Sequence, residues 1–133
     1  MPPEDEFDRV MRTNVLGPMR VMAQLAEALA PGARVVVLSS RMGSIGSRSA
    51  AGSSLYRASK AAVNSVLKDA ALTWGDRAVF AAFHPGWVRT DMGGSGADID
   101  AETSVADMRR VIARLAAADN GGFFNHDGET IGW

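Results

Sequence analysis

Arg34-Val35-Val36-Val37-Leu38-Ser39-Ser40 decides how this chain folds. Three β-branched residues and a leucine follow one another with no polar alternation, which reads as a parallel strand covered on both faces. The run opens directly into Ser39-Ser40, and ligands of open parallel sheets bind at the carboxyl ends of strands. A second apolar run, Ala78-Val79-Phe80-Ala81-Ala82-Phe83, ends the same way, in the turn His84-Pro85-Gly86. The stretch between the two has helical periodicity. The whole chain then reads helix, strand, loop, helix, strand, loop, helix, short strand. That alternation predicts an α/β fold, a partial Rossmann-type parallel sheet of about three strands with helices on both faces. At 133 residues it is expected to form a single domain spanning residues 1–133.

The flanking helices follow from spacing. Phe7, Val10, Met11, Asn14, Pro18, Met22, Leu25 and Leu29 form a stripe that predicts a first helix from about Glu4 to Ala30, closed by Pro31-Gly32. Pro18 lies inside it and has no N–H for the carbonyl four residues back, which belongs to Asn14. That carbonyl is therefore expected to be free on the buried side and able to hold a water. The second helix is expected to start near Ser53 or Ser54, either of which is a good N-cap, and to end near Trp74-Gly75. Val63, Val66, Leu67, Ala70 and Leu72 are its apolar positions. Asp100 reads as the N-cap of a third helix to about Ala118, with Val105, Met108, Ile112 and Leu115 buried. Gly121 to Asn125 is a last short strand, His126-Asp127-Gly128-Glu129 a turn, and Trp133 an aromatic anchor.

Composition narrows the function. The chain is 47% hydrophobic and 22% charged, as in ordinary globular proteins. Its net charge of −1 gives no electrostatic footprint for nucleic acid or an anionic membrane. No cysteine is present, so disulfides, thiolate metal sites and thiol nucleophiles are excluded, a composition that fits the cytoplasm. The acidic start Met1-Pro2-Pro3-Glu4-Asp5-Glu6 is unlike a signal peptide, and no apolar run approaches the ~18 residues of a membrane span. Asp98, Asp100 and Glu102 imitate a calcium loop, but Thr103 stands where that loop requires glycine, so no metal site is expected.

Tyr56 and Lys60, four apart in Tyr56-Arg57-Ala58-Ser59-Lys60, share one helix face. A phenol with a pKa near ~10 is a poor acid or base at neutral pH, and a neighbouring ammonium favours its ionised form. The Ser- and Gly-rich segment from Arg41 to Ser54 is a long loop of the kind that serves active sites. His84, alone beside a turn, reads as structural rather than as a catalytic base.

Thr13-Asn14-Val15-Leu16-Gly17, Ser40, Tyr56 to Lys60 and Pro85-Gly86-Trp87-Val88-Arg89-Thr90, in this order, resemble the C-terminal half of the short-chain dehydrogenase/reductase family. The wording around Leu38 to Ile45, His84 to Met92 and Asp127 to Trp133 resembles its C-factor-like branch. The resemblance implies hydride transfer between NAD or NADP and a small carbonyl or alcohol. It implies Tyr56 as proton donor, Lys60 as its helper at the nicotinamide ribose, and Ser40 on the substrate oxygen. It also implies Asn14 holding a proton-relay water, with Pro85, Gly86, Val88 and Thr90 seating the nicotinamide. The family's glycine-rich phosphate loop is absent: no Gly-x-x-x-Gly-x-Gly occurs between Met1 and Trp133. Only the nicotinamide end of the cofactor is therefore expected to find partners here, and binding by the chain alone is expected to be weak. Two function classes follow: an oxidoreductase completed by a longer chain, a complementing N-terminal half or a second copy, or a truncated binding or signalling protein that keeps the motifs. The outer edge of the Arg34–Leu38 strand is expected to lack a neighbour, leaving the isolated chain marginally stable or self-associating.

Overall fold

The computed structural model describes residues 1–133. Its core is a parallel three-stranded sheet in the order β1 (Ala33–Leu38), β2 (Ala78–His84), β5 (Gly122–Asn125). β1 and β2 pair from Ala33 opposite Ala78 to Leu38 opposite Phe83, and β2 and β5 from Ala81 opposite Gly122 to His84 opposite Asn125. Parallel neighbours need long crossovers. Here these carry α3 (Ser54–Trp74) and α4 (Ala101–Arg114).

Side chains alternate across β2 and divide the core in two. Ala78, Phe80 and Ala82 face one way, with Phe123 of β5, against Leu67 and Ala70 of α3 and Met22 of α2 (Gly17–Leu25). Ala81 and Phe83 face the other way, with Phe124, against Met108 and Val111 of α4 and Leu115 just beyond it. Phe80, Phe83 and Phe123 are each essentially sealed from solvent, and burying one phenylalanine contributes about 1.5–3 kcal/mol. The expected fold, α/β with three parallel strands and helices on both faces, is the one observed.

Some details differ from the sequence reading. β1 does touch both clusters, Val35 and Val37 on one side and Val36 on the other, but only at their margins. It is an edge strand, half-covered, with Leu38 56% exposed. The first helix is not one regular helix. α1 (Glu4–Met11) passes through a wide π turn, Arg12–Leu16, into α2, and the Gly17 N–H reaches back five residues to the Arg12 carbonyl. Pro18 comes just after the π turn. It lies in the first turn of α2, where a missing N–H costs little. Of the predicted stripe only Met22 is buried; Phe7 and Leu25 are exposed.

Ser53 precedes α3 in a left-handed conformation, φ 50°, and its side chain makes no capping bond. Leu72 points to solvent. Asp100 caps α4 as expected, accepting the Thr103 N–H at 2.7 Å, but α4 ends at Arg114 and its buried line is Ser104, Met108, Val111 and then Leu115. Val105 is exposed instead, and Ile112 only half-buried. A second ladder that the sequence did not announce pairs β3 (Val88–Arg89) with β4 (Ile99–Asp100) in parallel. Trp133 stacks on Phe123 at 5.3 Å between ring centroids. No helix is long and apolar enough to cross a membrane.

Candidate active site

A cleft of about 1010 Å³ opens where β1 and β2 end, between the start of α3 and the segment after β2. Ser40 enters it directly from β1 and is buried; its Oγ accepts the Met42 N–H at 3.1 Å, which starts the 3-10 turn Arg41–Gly43. The preceding Ser39 is fixed to the helix behind, donating to Asn64 Oδ1 at 2.6 Å. The 3-10 turn lies directly on α3. A Cβ at Gly43 would sit 2.8 Å from the Lys60 carbonyl carbon and 2.9 Å from its Cβ, so only glycine permits this approach.

Tyr56 lines the cleft from the first turn of α3. Lys60, one turn on, holds its Nζ 5.8 Å from the centre of the Tyr56 ring and donates to the Leu38 carbonyl at 3.2 Å. Burial lowers its pKa by disfavouring the charged form. Asn14 comes from the π turn, a kind of irregularity frequent at functional sites. Its Nδ2 donates to Ser59 Oγ at 3.1 Å, and Ser59 Oγ donates to the Tyr56 carbonyl at 2.8 Å. Of the four predicted catalytic side chains, Ser40 and Tyr56 both line the cleft. Lys60 and Asn14 do not line it; they touch the structure that carries the other two.

Pro85, Gly86, Val88 and Thr90 form the opposite wall. The Pro85 carbonyl is held by the hydroxyl of Ser104, buried on α4. Gly86 has φ +88°, and a Cβ there would come within 2.9 Å of Ile99 Cδ1 and 3.0 Å of His126 Cδ2. Thr90 Oγ1 accepts the Gly93 N–H at 3.2 Å, while the Trp87 indole donates to the Gly93 carbonyl at 2.9 Å, closing a small loop at the rim.

Two residues matter more than the sequence indicated. Ser104 is a serine on the buried line of α4, a pattern legible only once that line is placed correctly. His84 lines the cleft, and its buried Nδ1 has no hydrogen-bond partner. Burial, aided by the nearby charges of Arg41 and His126, lowers its pKa to about 4, so the ring is neutral at pH 7.

Residues 2–122 match the sequence profile of a family described as enoyl-(acyl carrier protein) reductase. In solved structures the same fold occurs in the carbonyl reductase Sniffer of D. melanogaster (TM-score 0.87, 32% identity, 99% of this chain and 59% of that one). It occurs also in a short-chain dehydrogenase/reductase of Burkholderia multivorans with bound NADP (TM-score 0.89, 31% identity, 99% and 58%). This chain belongs to the short-chain dehydrogenase/reductase family. Within it the likeness runs to the C-factor-like branch: C-signal of Myxococcus xanthus is 39% identical over 131 residues, 96% of this chain and 79% of that protein. A 1-hydroxy-2-glutathionyl-2-methyl-3-butene dehydrogenase of Rhodococcus sp. (strain AD45) is 33% identical over 134 residues, and there the chain spans 59% of the relative's length.

Proposed function

We propose that the chain supplies the substrate-side and nicotinamide-side half of an NAD(P)-dependent oxidoreductase that interconverts a small carbonyl compound and its alcohol. The observation that supports this reading best is the convergence of Ser40 and Tyr56, from two different elements, on one cleft walled by Pro85 to Thr90. In reduction, Tyr56 donates its phenolic proton to the substrate oxygen; in oxidation it takes the proton back. Ser40 donates a hydrogen bond to the same oxygen as charge develops there. Lys60 stabilises the phenolate that Tyr56 leaves behind. Asn14, in the π turn, would hold a water that relays protons to Lys60.

The residues fit the nicotinamide end of the cofactor. Pro85, Gly86, Val88 and Thr90, which line the cleft, would hold the carboxamide side, with Asn14, Tyr56 and Lys60 towards the ribose. Bound there, NAD or NADP supplies the hydride. The pyrophosphate finds no glycine-rich turn in residues 1–133.

Ketone reduction by the chain, alone and joined to a dinucleotide-binding half, tests the reading. Tyr56→Phe is expected to lower the hydride-transfer rate about 10²–10⁴-fold with melting unchanged, and retention of most of the rate refutes the assignment. NADH and NADPH are expected to bind the chain alone with Kd above ~10 μM, weaker than about −7 kcal/mol; tighter binding contradicts the division of the cofactor site.

A further inference from the structure

We infer that the substrate carries an anionic group, a carboxylate or its equivalent, on an otherwise apolar body. The inference rests on the oxidoreductase reading above and deepens it.

Three arginines, Arg41, Arg48 and Arg57, line the cleft, and no aspartate or glutamate does. The chain as a whole has 14 basic and 15 acidic residues, so this lining runs against its balance. The carboxylates nearby are engaged elsewhere. Asp100 caps α4 and lies 3.9 Å from Arg89, and Asp107 holds His126 and Arg110. Asp91 sits between two lining residues but does not line the cleft itself.

The cations are also placed. Arg41 and Arg57 line the same cleft as Ser40 and Tyr56, the residues proposed to meet the substrate oxygen. Arg57 Nε donates to the Gly52 carbonyl at 3.0 Å and Arg48 Nε to the Ala50 carbonyl at 3.2 Å. Each bond steadies a guanidinium and leaves its other four N–H donors for a ligand. A planar guanidinium matches a carboxylate with paired hydrogen bonds. Trp87, Met92, Val105 and Met108 add apolar side chains to the same lining, the first three more than half exposed or nearly so. A ligand with one anionic end and one apolar end satisfies both surfaces.

The probes are 4-oxodecanoate and its methyl ester, which differ in charge and hardly in shape. Binding of each to the 133-residue chain is measured by calorimetry or saturation-transfer NMR. The acid is expected to bind at least ~5-fold tighter at low salt, with the advantage shrinking as screening increases. Arg41→Gln and Arg57→Gln should each remove much of that preference without changing ester binding, while Arg41→Lys, which keeps the charge, should retain part of it. Equal binding of acid and ester overturns the inference, as does no binding of either below ~10 mM or a preference that survives loss of all three arginines. Loss of NADPH affinity in the Arg→Gln variants, with no acid preference in the parent, assigns the arginines to cofactor phosphates and overturns it too. No turnover enters this measurement. Failure of the oxidoreductase reading would show instead in the Tyr56→Phe rates.

Discussion

Replacing Gly43 with alanine adds one methyl group at the point where the 3-10 turn after Ser40 rests on α3. That methyl would stand 2.8 Å, 2.9 Å and 3.0 Å from the carbonyl carbon, Cβ and carbonyl oxygen of Lys60. Carbon atoms in contact prefer about 3.5–4.0 Å, so the surfaces must part by roughly 0.5–1 Å. Two of the three contacts are backbone atoms in mid-helix, next to the fully buried Ser59, and cannot swing aside. The displacement falls on Arg41–Gly43 and so on Ser40, which starts that turn through its bond to Met42. Overpacking of this kind costs about 1–3 kcal/mol. The lost freedom of glycine in the unfolded chain offsets about 0.4–1 kcal/mol. A net loss of about 1–2 kcal/mol is expected, and at this chain length each kcal/mol lowers Tm by roughly 3–5 °C. Thermal and urea unfolding measure it. Gly46→Ala is the control, because a Cβ there meets only the Trp133 carbonyl oxygen at 3.5 Å, an ordinary contact. A Gly43→Ala protein melting within about 1 °C of the parent, or no lower than Gly46→Ala, would refute the packing argument.

Asn120 accepts the Phe80 N–H and donates to the Ala71 carbonyl, both at 2.9 Å, so Asn120→Ala should cost about 2–4 kcal/mol in urea unfolding by leaving two inner groups unpaired; a loss below about 1 kcal/mol contradicts this. His84 has a folded pKa of about 4 against 6.5 unfolded, so the unfolded chain takes up this proton first. Its contribution to stability is complete above about pH 6.5 and is lost as pH falls towards 4. The full shift would be worth about 3 kcal/mol, and partial solvent access reduces it to roughly 1–2 kcal/mol. His84→Gln should flatten the stability profile between those pH values by that amount, and an unchanged profile refutes it. The open edge of β1 should make the 133-residue chain self-associate or melt early in sedimentation and thermal scans; a monodisperse monomer melting above ~65 °C would show the edge to be harmless.

The parts of the fold that were legible are those where one local pattern has one meaning. Val35 to Leu38 and Ala78 to Phe83 could hardly be anything but strands of a parallel sheet, and Asp100 announced the helix it caps. The stripe of Phe7 and Leu25 was legible as a stripe only. Periodicity shows that a helix has an apolar face, not that anything in the same chain covers it. Counting four residues back from Pro18 assumed unbroken α-helix, and the π turn at Arg12–Leu16 has no sequence mark that distinguishes it. The β3–β4 ladder is two residues long on each side, too short for any pattern. Within the candidate site, the order of Asn14, Ser40, Tyr56 and Lys60 pointed to one region, and the folded chain brings Ser40 and Tyr56 to a common cleft. The gathering of Arg41, Arg48 and Arg57 there was not legible, because scattered surface arginines look alike until the topology collects them.

The strands of the sheet follow one another in space as they do in sequence. During synthesis, each strand leaving the ribosome therefore finds its partner already made: β2 docks on β1, and β5 on β2. No later segment has to be threaded between two earlier ones. Long crossovers make parallel pairing slow, and growth in chain order removes the search for a register among waiting strands. The last strand to arrive brings Asn120 and Phe123, which lock α3 against β2. Until about residue 125 has emerged, the nascent chain holds its cleft residues without β5 in place. A pause or a premature stop upstream of that point is the event that chaperones would have to manage.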